Sequence, residues 1–335
     1  MVRVGLIGAG FMGNMHARCY AQMRGAELVA VRDVEDEKAA KVAQEHGCDV
    51  CDSAEDLVAR DDVDVVDICL PTYLHCRHVT MAARAGKHVL CEKPFAVDAA
   101  EAESAVGAIH SSGVLFMCAH VIRFWPEYRL LKQYTDEQPH GRLLSLDMER
   151  MSVAPVWSWQ QWYLDEELSG GAATDLHCHD TDFVRYLLGE PVSLDSVGTR
   201  DPERGFVHIF TNYHYPGVAV NARGGWNLPS SCSFHMAYRA VFENALLTYD
   251  SRRDPTLVLT TDEGDTPLQP PRPDVGSTDA GGNISDLGAY FTELSYFIDC
   301  VENDREPDIV PAEDSVNTVA LLAAEKRSAA EKLEG

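Results

Sequence analysis

Gly8-Ala9-Gly10-Phe11-Met12-Gly13 is the stretch on which the fold of this chain turns. It follows the short apolar run Val4 to Ile7 and opens a helical pattern from Met12 towards Arg24. Strand, glycine turn and helix in that order make a dinucleotide-binding G-x-G-x-x-G. The first glycine permits a sharp turn, and the second lets backbone approach a pyrophosphate. The third lets the helix pack close to the strand, and the helix N-terminus faces the phosphate charge. Gly8, Gly10, Phe11, Met12 and Gly13 are therefore candidate cofactor residues. A bare glycine motif is weak, but here the flanking strand and helix are both present.

Outward from the loop, strand and helix alternate as far as Ala119, which predicts a parallel, doubly wound sheet with ligands at the carboxyl ends of its strands. Past residue 120 the texture changes. A helix is expected from Ala172 to Leu188 and β-hairpins from Ser193 to Thr261. Thr266 to Gly282 reads as an irregular loop, and two closing helices follow. The expected organisation is a dinucleotide-binding domain over 1–121 and an α+β substrate-binding and oligomerisation domain over 122–335. The second domain should carry a large, mostly antiparallel open sheet.

Composition narrows the function. The chain has 335 residues, 28 Lys+Arg against 53 Asp+Glu, and a formal net charge of −25. Such a field repels nucleic acid and anionic membrane, so neither is expected as a partner. No apolar run approaches the ~20 residues of a bilayer span. Ten cysteines scattered through expected strands and helices form no disulfide framework, which points to a reducing cytoplasm. Cys48 and Cys51 are spaced C-x-x-C, but no second pair follows, and they read as incidental thiols.

Three groups of residues carry chemistry. Asp33 closes the second strand, where a carboxylate can accept both adenosine ribose hydroxyls and repel a 2′-phosphate. NAD is thus expected before NADP, with the neighbouring Arg32 keeping NADP as second choice. Glu92-Lys93-Pro94 follows the strand Lys87 to Cys91, placing a lysine at the nicotinamide end of a cofactor laid along the sheet edge. Asp175, His179 and Asp182 are spaced four and three apart, so on a regular helix they share a face. A histidine held by carboxylates suits a general base. His177 would point about 200° away from His179 on the same helix. A metal reading of His177, Cys178, His179 and Asp175 would need that helix broken, and no metal is expected.

The motifs together resemble the glucose-fructose oxidoreductase / inositol dehydrogenase family (Gfo/Idh/MocA), nearly end to end. They are Gly8-x-Gly10-x-x-Gly13-x-x-His16, Pro71-Thr72, Gly86-Lys87-His88-Val89, Glu92-Lys93-Pro94, Arg123-Phe124-x-Pro126, Gly170-Gly171 and Asp175-x-x-x-His179-x-x-Asp182. The resemblance implies a Rossmann domain with an α/β partner domain whose open sheet forms a dimer or tetramer interface. It implies bound NAD(P) and oxidation or reduction of a sugar or cyclic polyol hydroxyl. Lys93, Asp175 and His179 are then the catalytic candidates. Pro71, Thr72, His75 and Glu92 join the cofactor site, and Arg123, Trp162 and Asp182 join the substrate site. His177 stands where the family usually has glycine.

The expected chemistry is reversible hydride transfer at a ring carbinol. His179 takes the hydroxyl proton, Asp175 orients it, and Lys93 stabilises the developing alkoxide. Three rivals are an enzyme that uses NAD only transiently to permit elimination, a non-catalytic dinucleotide sensor, and a plain structural or partner-binding protein, which the motifs at strand ends argue against.

Overall fold

The computed structural model describes residues 1–275 and 287–333. These form two compact units. The first runs from Met1 to Val121 and takes in residues 287–319 from later in the chain; the second holds Ile122–Arg272 and residues 320–333.

In the first unit the chain order is β1 (Val2–Ile7), α1 (Phe11–Tyr20), β2 (Ala26–Arg32), α2 (Asp36–His46), β3 (Asp49–Val50), α3 (Ala54–Val58) and β4 (Val65–Ile68), then α4 (His75–Arg84), β5 (His88–Glu92), α5 (Ala99–Ser112) and β6 (Phe116–Ala119). All strands are parallel, in the order β3-β2-β1-β4-β5-β6. The order reverses between β1 and β4, and such a switch point is where open α/β sheets bind ligands. Helices cover both faces, so the central strands are almost wholly apolar: β4 and β6 are buried along their whole length. One residue breaks that rule. Asp67 lies in β4, fully buried.

The second unit contains α6 (Pro126–Glu137), β7 (Leu143–Val153), α7 (Glu166–Ser169), α8 (Ala172–Asp175), α9 (Cys178–Leu188), β8 (Ser193–Asp201), β9 (Gly205–Tyr215), β10 (Val218–Leu228), β11 (His235–Phe242), β12 (Leu246–Asp250), β13 (Leu257–Thr261) and β14 (Gly264–Pro267). Its eight-stranded sheet has the order β14-β13-β12-β11-β7-β10-β9-β8. Every pairing is antiparallel except β7 with β10. Along part of their length the strands alternate buried and open positions, the mark of a sheet with one face packed and the other more open.

Three expectations need correcting. The division 122–335 is not one uninterrupted domain, because α10 (Gly288–Glu302) packs on α1 in the first unit through its buried face of Tyr290, Leu294, Phe297 and Ile298. The helix expected over 172–188 is two helices. Their junction has His177 N–H bonded to Ala172 O at 3.0 Å, five residues back, which makes a turn wider than an α-turn. The loop expected from Thr266 begins inside β14, and its portion from 276 to 282 lies outside the described residues. The chain closes with α11 (Ala312–Glu331).

Candidate active site

The glycine loop is built for close approach. Gly8 has φ +101°, and a Cβ there would meet the Cys69 carbonyl at 2.3 Å. A Cβ on Gly13 would lie 1.8 Å from the Gly8 carbonyl. Gly10 instead has nothing within 4 Å of its would-be Cβ, which leaves room over the turn. α1 has no capping side chain and no acid in its first turn, so its N-terminal N–H groups suit an anion. Phe11 and Met12 lie at that same end, exposed and half-buried.

Asp33 ties this loop to the end of β2. One carboxylate oxygen accepts the Ala9 N–H at 2.7 Å and the other accepts the Glu35 N–H at 2.8 Å. Arg32 beside it is turned to Asp36 at 3.1 Å. Pro71 precedes a 3-10 turn, Thr72–Leu74, and the Thr72 hydroxyl is buried with no protein partner. An open glycine, an uncapped helix end, a ribose-length carboxylate and an orphaned buried hydroxyl fit a dinucleotide.

His75 takes a different part from the one expected. Its Nδ1 lies 2.9 Å from Pro94 O and its Nε2 lies 2.7 Å from Leu70 O, so both nitrogens face backbone. Burial lowers its proton affinity despite the two carbonyls. The ring braces the ends of β4 and β5 against each other. That holds Glu92-Lys93-Pro94, whose Lys93–Pro94 bond is cis.

Glu92 is buried and accepts the Lys93 N–H at 2.9 Å. Its second oxygen lies 3.2 Å from His16 Nε2. Burial alone would raise the Glu92 carboxyl, but His16 and the Lys93 charge outweigh it and hold it below its usual range. His16 Nδ1 in turn lies 2.8 Å from Asp67 Oδ2. In the sequence His16 stands out as the end of the glycine motif and a pocket-lining candidate without a chemical role, and Asp67 is not singled out. The available signal was an aspartate inside the otherwise apolar run Val65-Val66-Asp67-Ile68. His16, Asp67 and Cys69 are also the one group of potential metal-ligand atoms brought within 4.8 Å of one another among the described residues. Burial pushes the Cys69 thiol far up and keeps its proton on, so the group reads as a hydrogen-bonded cluster.

In the second unit, residues 169–185 are buried with a single exception, His179. His177 points elsewhere: its Nε2 lies 3.2 Å from Glu325 of α11, and its ring packs where a Cβ on Gly224 would intrude at 2.9 Å. Asp175 ends α8 and is almost wholly buried. The wide turn at 176–177 interrupts the helix between Asp175 and His179. Asp182 is directed inward, where Arg123 grips it with two hydrogen bonds, 2.9 and 2.7 Å.

Arg123 and Asp182, both expected at substrate, therefore neutralise each other inside the unit. Trp162 is buried and stacked on Tyr163, with ring centroids 3.9 Å apart. Tyr163 also contacts Trp226 edge-on. Trp162 belongs to this aromatic cluster, which large apolar rings favour. Of the indoles near it, Trp157 is the exposed one.

Residues 2–120 match the model described as an oxidoreductase family with an NAD-binding Rossmann fold, and residues 128–248 match the Gfo/Idh/MocA C-terminal domain. The chain belongs to the Gfo/Idh/MocA family. Relatives within that family include an inositol 2-dehydrogenase of Rhizobium meliloti, 29% identical over 339 residues, covering 99% of this chain and 98% of that protein. A 2,7-anhydro-N-acetylneuraminate hydratase of Mediterraneibacter gnavus is 33% identical over 188 residues, covering 55% of this chain and 48% of its own. The solved structure of a levoglucosan dehydrogenase with NADH and levoglucosan superposes with a TM-score of 0.84 at 22% identity. It covers 98% of this chain and 97% of that one, and establishes likeness of fold. As a Gfo/Idh/MocA oxidoreductase, the protein carries an NAD-binding Rossmann domain followed by the family's mostly antiparallel sheet.

Proposed function

We propose that this chain is an NAD-dependent dehydrogenase of a sugar or cyclic polyol hydroxyl, inositol-like in class. The observation that carries the reading is that His179 alone is only half-buried in an otherwise buried run of seventeen residues, 169–185. An imidazole presented from a packed helix start is placed to exchange a proton with a substrate hydroxyl. Asp175, four residues earlier and on the other side of the wide turn, is the candidate to orient that ring. Lys93 donates a hydrogen bond to the reacting oxygen and stabilises the negative charge that grows there. Bound NAD supplies the hydride acceptor in the oxidising direction and the donor in reverse. Gly8, Gly10, Gly13, Asp33 and Thr72 are the residues proposed to hold it.

The test is a panel of inositols, aldoses and anhydro sugars with NAD and with NADP, followed by absorbance of the reduced cofactor. Turnover with NAD on a polyhydroxylated ring is the expected result. Cofactor binding with no conversion of any panel member would overturn the reading in favour of a sensor. A second reading is favoured by the hydratase relative. It predicts loss or gain of water from a substrate with no net reduced cofactor, which product analysis separates from dehydrogenation.

The face of the large sheet that carries Val197 and Phe210 is proposed as a contact between copies of the chain. Val197 and Phe210 are paired neighbours there, 47% and 38% exposed, an apolar step on an otherwise polar face. Light scattering on the purified protein should give a homodimer or homotetramer. All ten cysteines are free thiols, and burial pushes Cys48 up to about 11, in keeping with a reducing cytoplasm. No helix among the described residues is long and apolar enough to cross a membrane.

A further inference from the structure

We propose that Asp67, His16 and Glu92 form a buried relay that fixes both the place and the charge of Lys93, which makes His16 a positioning residue for the reaction. This rests on the reading of Lys93 as the cationic partner of the reacting oxygen.

Three elements of the first unit bring the relay together: α1 supplies His16, β4 supplies Asp67, and β5 ends on Glu92. They are 0%, 0% and 6% exposed. Each imidazole nitrogen faces a carboxylate, at 2.8 Å for Asp67 and 3.2 Å for Glu92. Nδ1 is hydrogen-bonded to Asp67, whereas Nε2 meets Glu92 at ion-pair distance without hydrogen-bond alignment, so the contact to Glu92 is one of charge. The far end is closed as well, since the Tyr20 hydroxyl donates to Asp67 at 2.9 Å and the Cys69 thiol lies 3.6 Å from its other oxygen. Burial opposes a charge on His16, yet Asp67 outweighs it and raises the ring well above its usual value.

At the near end the relay grips the backbone of Lys93, because the Glu92 oxygen that does not face His16 accepts the Lys93 N–H. A shift of His16 is thereby a shift of Lys93. Two carboxylates around one imidazolium leave a buried excess of negative charge, and Lys93 is the cation next to it. Removing the Lys93 proton would strand that charge in a medium that solvates it poorly. Titratable groups that feel the Lys93 charge include His75 from α4 and Tyr290 from α10, with Glu293 acting on Tyr290. Lys93 is thus held as an ammonium, a donor that does not act as base, and the proton-accepting role passes to His179.

Glu92→Gln keeps an oxygen for the Lys93 N–H while removing the charge; Glu92→Asp keeps the charge and withdraws the contact. In the full-length enzyme, Glu92→Gln and His16→Gln should lower kcat by about 10 to 10²-fold with NAD affinity nearly unchanged, as expected for a misplaced group. The alkaline limb of the kcat profile should move down by about one pH unit in Glu92→Gln, since the lost carboxylate no longer favours the ammonium. Glu92→Asp should restore that limb but not the rate. Wild-type kcat and an unmoved limb in folded Gln variants would overturn the relay. If the Gln variants do not fold, the limb in Glu92→Asp decides, because a limb shifted as far as one pH unit with the charge intact contradicts the proposal. Lys93→Met separates the two claims: full turnover there sinks the role of Lys93 itself, whereas lost turnover beside unaffected Glu92 variants sinks the relay alone.

Discussion

Arg123 and Asp182 meet as a closed two-pronged pair, Nε to Oδ2 at 2.9 Å and Nη2 to Oδ1 at 2.7 Å, both side chains buried within the second unit. The guanidinium also lies over the Tyr186 ring, 4.6 Å from its centroid. Removing one partner strands the other charge. Asp182→Asn should therefore cost ~3–5 kcal/mol in urea unfolding, and Arg123→Met with Asp182→Leu should cost less than either single change. Direct substrate contact by the pair predicts the opposite pattern, a raised KM with an unmoved unfolding midpoint.

Asp33 serves two structural N–H groups besides its expected ribose contact. Asp33→Ala should weaken NAD far more than NADP, measured by fluorescence titration of each reduced cofactor. Equal losses would reduce Asp33 to a brace for the Ala9 turn.

His179→Ala should lose about 10²–10⁴ in kcat while still binding NAD, the scale of a missing general base. Stopped-flow measurement of the first turnover checks that the loss lies in the chemical step rather than in product release. Unchanged turnover would remove His179 from the mechanism.

His16 gives a pH dependence of definite sign. Its folded value is raised above the usual one by Asp67, against burial. Its stabilisation is full below the unfolded value of about 6.5 and is lost as pH rises through the folded value. The difference in urea midpoint between wild type and His16→Gln should accordingly shrink from pH 6 to pH 9. A difference that grows with pH would mean His16 is buried neutral.

Gly224 leaves space that His177 fills. Gly224→Ala should destabilise by ~1–3 kcal/mol, as overpacking does. Adding His177→Ala should recover part of that loss, a coupling that a double-mutant cycle reads directly.

The parallel sheet and the cofactor loop were legible because their signals are local. Gly8 to Gly13 sits between a short apolar strand and a helix, and Asp33 closes the next strand. The site in the second unit was half legible. Asp175, His179 and Asp182 have helical spacing, but spacing assumes an unbroken helix, and the wide turn at 176–177 is set by tertiary packing of His177 between Gly224 and Glu325. Nothing near Asp182 in sequence announces Arg123, 59 residues earlier, as its partner. Asp67 was visible as an anomaly in a buried strand, but its partner became identifiable only when α1 was laid against β4. The short strand β3 and the terminal β14 were missed because two to four residues carry too little periodicity.

The attachment of α11 to the helix that carries His179 has a consequence in time. Glu325 receives the Tyr213 hydroxyl at 2.7 Å and the Thr181 hydroxyl at 3.1 Å, and it faces His177. Thr181 and Glu325 are 144 residues apart. A chain emerging from the ribosome at about 5–20 residues per second makes the first of these well before the last. Until α11 has been released, the Thr181 and Tyr213 hydroxyls have no Glu325 carboxylate to meet, and the helix that carries His179 sits on an unfinished support. The first unit waits in the same way for α10. Both units therefore complete their packing late, after α10 and α11 have been made.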